Sequence, residues 1–346
     1  MSWLGPRRQR EKDQPSDAVG LAAGTPWSIM PSIQLGCEVM AHGKMHDNEL
    51  EIDQSLVAEL VRLQFPAWAH LVLVPVPSSG TDNMLWRLGA DMVVRLPRIR
   101  PTAEDDFGAQ DVEHTWLLRL APRLPVPVPV PLAKGEPACG YPWRWSICPW
   151  LQGETPQIGQ LTHPRLLARD LAGFVAALHQ IDSAGGPSGS RGGPLRERDK
   201  ETRAAIAELR GMIDTGAAIR AWEEALSCPQ WQGPPVWLHA DLSPGNVLVD
   251  GGRLAAVIDF GMMGTGDPAC DLLVAWNLLP SSARSVFRRG LGVDEATWGR
   301  GRGWALSVAL IQLPYYRQRN PDLAANARHV IKEVLADHRR TARSRR

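Results

Sequence analysis

The chain has 346 residues, 44% of them hydrophobic, with 38 Lys and Arg against 37 Asp and Glu and a formal net charge of +1. That balance argues against bulk nucleic-acid binding, the lack of an apolar run of membrane length argues against a span, and no secretory signal is expected at the start. Five cysteines (Cys37, Cys139, Cys148, Cys228, Cys270) are odd in number and form no Cys-x-x-Cys pair, so reduced thiols in a cytoplasmic protein are expected.

Residues 1–48 mix Gly, Pro, charge and scattered apolar residues without a sustained period, and read as a poorly ordered extension. Asp53 reads as the N-cap of a helix with Leu56, Leu60 and Leu63 on one face, closed by Pro66. Residues 71–76, 84–88 and 92–96 read as strands. Between the first two lies a turn of small and polar residues, including Ser78, Ser79, Gly80 and Thr81, whose backbone amides can approach an anion. A helix follows at 111–120, carrying Glu113.

Residues 124–132 alternate Val and Pro, which fits an extended segment, because proline cannot donate to a ladder. Residues 143–147 read as one more strand, and Cys148 to Leu151 as a hinge. A nucleobase there would need a backbone donor from Trp150 or Leu151, since Pro149 has no N–H. Beyond Gly153 the pattern turns helical. Thr162 reads as the cap of a helix with Leu167, Leu171, Phe174 and Leu178 on one stripe, and His179 as a satisfied polar group. Residues 183–194, rich in Gly, Ser and Pro, read as a mobile loop. Two helices at 201–213 and 217–226 follow. Glu197, Asp199, Glu201, Asp214, Glu223 and Glu224 form either an ordinary solvated face or an anionic site for a cationic ligand. Trp304, Val308, Ile311 and Tyr315 mark a long amphipathic helix, and a basic tail closes the chain from 336 to 346.

The chemistry concentrates between residues 236 and 272. An apolar strand leads to His239-Ala240-Asp241, Asn246 follows five residues after Asp241, and two apolar runs flank Asp250-Gly251-Gly252-Arg253 before Ile258-Asp259-Phe260-Gly261. The Gly-Gly turn folds those runs into a hairpin, bringing Asn246 beside Asp259 with Asp241 one short loop away. Phosphoryl transfer needs such a set: a carboxylate to orient the attacking hydroxyl, and oxygen ligands for Mg²⁺ on the phosphates. Each residue alone has an ordinary reading as a turn or strand-end residue. The three together at this spacing favour chemistry.

These motifs, with Gly266-Asp267-Pro268-Ala269-Cys270-Asp271-Leu272, resemble the aminoglycoside phosphotransferase family. The resemblance implies an α+β, protein-kinase-like two-lobed fold, with a β-rich small lobe at 49–148 and a mostly helical large lobe at 149–335. It implies a small-molecule kinase that moves the γ-phosphate of ATP or GTP to a hydroxyl of a small, cationic or amino-sugar acceptor, with Mg²⁺. On this reading Asp241 is catalytic, Asn246 and Asp259 hold the metal, and Ser78 to Thr81 cover the phosphates. Arg95 takes the strand position where kinases carry Lys, with Glu113 as its partner. His239 and Asp271 support the catalytic loop. Arg in place of Lys is a departure from the pattern. It keeps open a second reading, a non-catalytic or weakly catalytic nucleotide-binding protein. A protein kinase is a poorer fit, because the stretch from Gly261 to Asp271 is too short for an activation loop.

Overall fold

The computed structural model describes residues 49–77, 82–99 and 109–344. The expected extension at 1–48 and the turn residues Ser78, Ser79, Gly80 and Thr81 lie outside the described residues.

Helix α1 (Gln54–Gln64) starts where Asp53 accepts a hydrogen bond from the Leu56 amide. Its buried face is Val57, Leu60 and Val61, and Leu63, expected on that face, is exposed. Five antiparallel strands follow: β1 (Leu73–Pro75), β2 (Asn83–Leu88), β3 (Met92–Pro97), β4 (Ala133–Gly135) and β5 (Trp145–Pro149), in the order β1-β2-β3-β5-β4. The short β4 was not expected from the sequence. It packs tightly on β5: a Cβ on Gly135 would meet the Trp145 ring at 1.9 Å. Between β3 and β4 runs α2 (Ala109–Leu120).

The large lobe contains α3 (Pro164–His179), α4 (Asp199–Glu208), α5 (Thr215–Ser227), β6 (Val236–Leu238), β7 (Val247–Asp250), β8 (Arg253–Val257), β9 (Gly264–Gly266), α6 (Val274–Asn277), α7 (Ser281–Leu291), α8 (Glu295–Tyr316) and α9 (Pro321–Ser344). The β7–β8 turn has both central glycines at positive φ, 55° for Gly251 and 76° for Gly252, as a two-residue hairpin loop requires. On α3, Leu167, Leu171, Phe174 and Leu178 are buried as one stripe. Its N-cap is His163 with no side-chain bond, so Thr162 lies one residue outside the position expected for it.

Two hydrophobic cores carry the fold. One joins α1 to the sheet through Val57, Leu60, Trp86, Val94, Leu96 and Trp145. The other fills the large lobe and includes Leu117 and Leu120 of α2. Helix α2, expected with the small lobe, thus seats its apolar side on the large-lobe core. Trp116 packs on Trp237 at 4.7 Å between ring centroids.

Three other expectations change. Helix α8 is buried on nearly every side rather than amphipathic. It tolerates this because Arg300 pairs with Asp267 at 2.7 Å and Arg302 with Glu224 at 3.0 Å. Residues 336–344, expected as tail, continue α9. The loop at 183–194, expected to be mobile, is stitched along β9: the Thr265 amide donates to Pro187 O at 2.8 Å, the Asp267 amide to Gly192 O at 2.8 Å, and the Gly189 amide to Thr265 O at 3.2 Å.

Candidate active site

The site is built on the loop between β6 and β7. Ala240 lies at φ +64°, a left-handed conformation unfavourable to a residue with a Cβ. Asp271, fully buried, holds it there: its Oδ1 accepts from the Ala240 amide at 2.7 Å and its Oδ2 from the His239 amide at 3.2 Å. His179 Nε2 lies 3.0 Å from the same Oδ2, so the histidine of α3 is a satisfied polar group. The buried His239 ring has a defined tautomer. Nδ1 accepts from the Asp241 amide at 3.2 Å, so Nε2 carries the proton and donates to Ile258 O at 3.0 Å. His239 thereby ties the Asp241 loop to the end of β8.

The hairpin brings the three polar groups together. The Ile258 amide donates to Asn246 O at 3.0 Å, which closes the β7–β8 ladder beside Asp259. Asn246 Nδ2 donates to Asp241 O at 2.9 Å and to Asp241 Oδ2 at 3.1 Å. With its amide nitrogen used, Asn246 keeps its carbonyl oxygen for a ligand. Asp259 sits at φ +63°, and its side chain is 44% exposed. One amide oxygen and one half-exposed carboxylate, 3.7 Å from Arg95, suit a hard divalent cation that completes its shell with other oxygen ligands. The chemistry of these donors therefore fits Mg²⁺.

Arg95 stands in the middle of the sheet, on β3 between β2 and β5. Its Nη1 donates to Glu113 Oε2 at 3.0 Å and its Nη2 to Oε1 at 3.5 Å, while Nη2 lies 3.7 Å from Asp259 Oδ1. Burial works against the Arg95 charge, but Glu113, Cys148 and Asp259 outweigh it, and the guanidinium is raised above its ordinary pKa. Burial pushes the Glu113 carboxyl up, and Arg95 opposes that shift. The pair expected from the sequence is formed, with a two-pronged geometry that Lys does not offer.

At the hinge, the Trp150 amide donates to Asp91 O at 2.7 Å, within the turn between β2 and β3. It is therefore not available to a nucleobase, which corrects the expectation for Trp150 and leaves Leu151 as the neighbouring amide. A groove of about 1330 Å³ runs beside the hinge, lined by Trp150, Leu151, Gly153, Glu154, His163 and Val249. None of Asp241, Asn246 or Asp259 lines it, so concavity alone does not locate the chemistry. Of the six acidic residues singled out on and beside α4 and α5, Asp199 pairs with Arg203, Glu201 with Arg198, Glu223 with Arg203 and Glu224 with Arg302. Asp214 caps α5, and Glu197 stays exposed.

Sequence reading missed one residue at the centre of the site. Arg191 Nη1 bonds to Asp241 Oδ1, and donates to Ala240 O at 3.0 Å. The signal was faint: Arg191 is the sole charged residue in the stretch 183–194.

The profile described as the phosphotransferase enzyme family matches residues 74–304. Two proteins named aminoglycoside 3'-phosphotransferase, from Escherichia coli and Salmonella typhimurium, are 29% and 28% identical over 141 residues, or 36% of this chain and 49% of each of those proteins. The chain thus spans about half the length of the curated relatives it matches. Among solved structures, the GDP complex of aminoglycoside 2'-phosphotransferase-IIIa superposes with a TM-score of 0.65 at 18% identity, covering 83% of this chain and 100% of that one. A macrolide 2'-phosphotransferase from Brachybacterium faecium superposes with a TM-score of 0.52 at 25% identity, covering 80% of this chain and 97% of that one. The likeness shows an α+β, two-lobed, protein-kinase-like fold.

Proposed function

The chain belongs to the phosphotransferase enzyme family, and from that premise we propose that it is a small-molecule kinase moving the γ-phosphate of ATP or GTP to a hydroxyl group. The observation that carries the reading is the Asp241–Asn246–Asp259 cluster, fixed by bonds from Asn246 to Asp241 and from Ile258 to Asn246. In the reaction the hydroxyl oxygen bonds to the γ-phosphorus, and the bond from that phosphorus to the bridging oxygen breaks. The nucleoside diphosphate leaves, and the hydroxyl proton passes to the Asp241 carboxylate.

Asn246 and Asp259 would hold Mg²⁺. When bound, that ion would supply charge neutralisation for the transferring phosphoryl group. Arg95, its rotamer set by Glu113, grips the α- and β-phosphates, and the Leu151 amide faces the nucleobase. Solved relatives are described as complexes with GDP, with ADP, and with streptomycin and ATP, which supports a nucleotide co-substrate.

The test is nucleoside diphosphate release by the purified chain, with and without Mg²⁺, in Asp241→Ala and Asp259→Ala. Asp241→Ala is expected to abolish transfer while nucleotide binding survives. Asp259→Ala is expected to lose Mg²⁺-dependent nucleotide binding together with activity. If Asp241→Ala keeps transferring in excess Mg²⁺ while its nucleotide affinity collapses, the roles assigned to the two carboxylates are wrong.

A further inference from the structure

Arg191 lies fifty residues before Asp241 in sequence and touches it in space. The contact is held by the backbone around it. Gly192, at φ +97°, presses so closely on Leu238 that an added Cβ would stand 2.4 Å from its Cδ1. Its carbonyl accepts from the Asp267 amide, and on the other side Gly189 donates to Thr265 O. The guanidinium is therefore delivered to Asp241 by a segment fastened on both flanks. Among the described residues both of its bonds run through Nη1, to Asp241 and to Ala240 O. That leaves the other edge of the planar fork, Nε and Nη2, to a ligand.

A second guanidinium stands near. Arg198 reaches Glu201 only at 3.6 Å, and its Nε is buried with no hydrogen-bond partner. Burial pulls Arg198 below its ordinary pKa, and Arg191 adds to that pull against Glu201. Arg191, in contact with Asp241, thus has a second cation, Arg198, within electrostatic reach. Of the acidic residues that could receive a polycation, Asp199 and Glu223 pair with Arg203, Glu201 with Arg198, and Glu224 with Arg302 and His338, which leaves Glu197 exposed.

We propose that Arg191 is a specificity-determining residue that selects acceptors bearing an anionic group, a carboxylate or a phosphate, beside the hydroxyl to be phosphorylated. The inference rests on the kinase reading above and narrows its acceptor. An anion placed beside Asp241 meets the free edge of a fork suited to paired oxygens. An ammonium at the same place meets a like charge in a partly desolvated site, where repulsion is weakly screened.

The test uses the full chain with Mg²⁺ and ATP or GTP, and one pyranose skeleton in four charge states: glucuronate, glucose 6-phosphate, glucose and glucosamine. For the wild type, kcat/KM for at least one of the two anionic hexoses is expected to exceed that for glucosamine by about tenfold or more. The better of the two shows which anion is read. Arg191→Gln should bring the ratio toward one, chiefly through KM. Arg191→Glu should favour glucosamine, and Arg191→Lys should keep the preference for the anion. Melting temperature and nucleotide affinity report whether each variant is folded, and Arg198→Gln, which leaves the Asp241 contact in place, should weaken the same preference. Glucosamine used as well as both anions, a ratio unmoved by Arg191→Gln, or nucleotide turnover that no hexose stimulates would overturn the inference alone. Absence of any Mg²⁺-dependent nucleotide turnover would remove the kinase reading, and this inference with it.

Discussion

Replacing Asp271 by Asn tests what holds the catalytic loop in its left-handed turn. The wild-type carboxylate serves two backbone amides and His179, at 2.7, 3.2 and 3.0 Å, from a fully buried position. Asn has one acceptor oxygen and one NH2. With the oxygen toward His239 and His179, the NH2 faces the Ala240 amide, and the shortest of the three bonds is lost. With the oxygen toward Ala240, the His239 amide loses its acceptor, and His179 keeps its contact by accepting from the NH2 in its other tautomer. The less costly orientation still strands one buried donor, at about 1–3 kcal/mol. The same bond restrains Ala240 at φ +64°, a conformation that costs about 1–2 kcal/mol and is no longer held against relaxation. Relaxation releases that strain rather than adding to the loss, so Asp271→Asn should lower unfolding free energy by about 1–3 kcal/mol, read as a shift of the urea midpoint. Relaxation of Ala240 carries Asp241 with it, and a displacement near 1 Å is enough to lower turnover about a hundredfold. Nucleotide affinity should stay close to wild type, because neither Arg95 nor Asp259 touches Asp271. An unchanged urea midpoint together with unchanged kcat would show that Asp271 does not hold the loop.

Two further sites are tested by substitution, the Arg95–Glu113 pair and Asp170. Arg95→Lys should reduce transfer about tenfold, equivalent to ~1–2 kcal/mol, because an ammonium cannot span Glu113 in two-pronged fashion. Glu113→Ala should give a similar loss that does not add to that of Arg95→Ala, measured as kcat/KM in a double-mutant cycle, and full additivity would separate the two residues. The third site is Asp170, whose carboxyl is held below the usual range by hydrogen bonds from Arg253 at 2.6 and 2.8 Å. Its folded pKa lies below its unfolded one, so its contribution is present above the unfolded value of about 3.9 and is lost as pH falls through the folded value. Denaturant midpoints on the acid side should fall less steeply with pH in Asp170→Asn. An unaltered slope would mean that the pair with Arg253 makes no difference to folding.

What was legible in the sequence was local. Asp241, Asn246 and Asp259 are separated by a loop and one hairpin, and the Gly251-Gly252 turn fixes the register that brings them together. The stripe of α3 follows from its helical period. Arg95 and Glu113 were paired through the resemblance to the kinase pattern, and they meet at 3.0 Å. Arg191 was illegible because its contact depends on where β9 lies, and β9 reads Gly-Thr-Gly, with no apolar alternation to announce a strand. The same gap made residues 183–194 look free, since the amides that fasten them come from β9 and Asp267. Trp150 failed as a nucleobase donor for a similar reason: its partner is a carbonyl in a turn nearly sixty residues upstream. The burial of α8 was hidden by Arg300 and Arg302, whose charges suggest a wet face until Asp267 and Glu224 are brought against them.

The seating of α2 has a consequence for how the halves of the molecule move. Arg95 rides on the sheet, among Val94 and Leu96 of one core, whereas Glu113 rides on a helix whose Leu117 and Leu120 belong to the other. The bond between them is thus a latch across a seam. Tilting the sheet away from the large lobe stretches it directly, and about an ångström of travel is enough to carry both contacts beyond hydrogen-bonding range. Asp259, on the far side of the seam, is drawn away from the same guanidinium by the same tilt. Arg95 and Asp259 therefore keep their 3.7 Å spacing only while the sheet stays seated on the large lobe, and any ligand contact made through both depends on that seating.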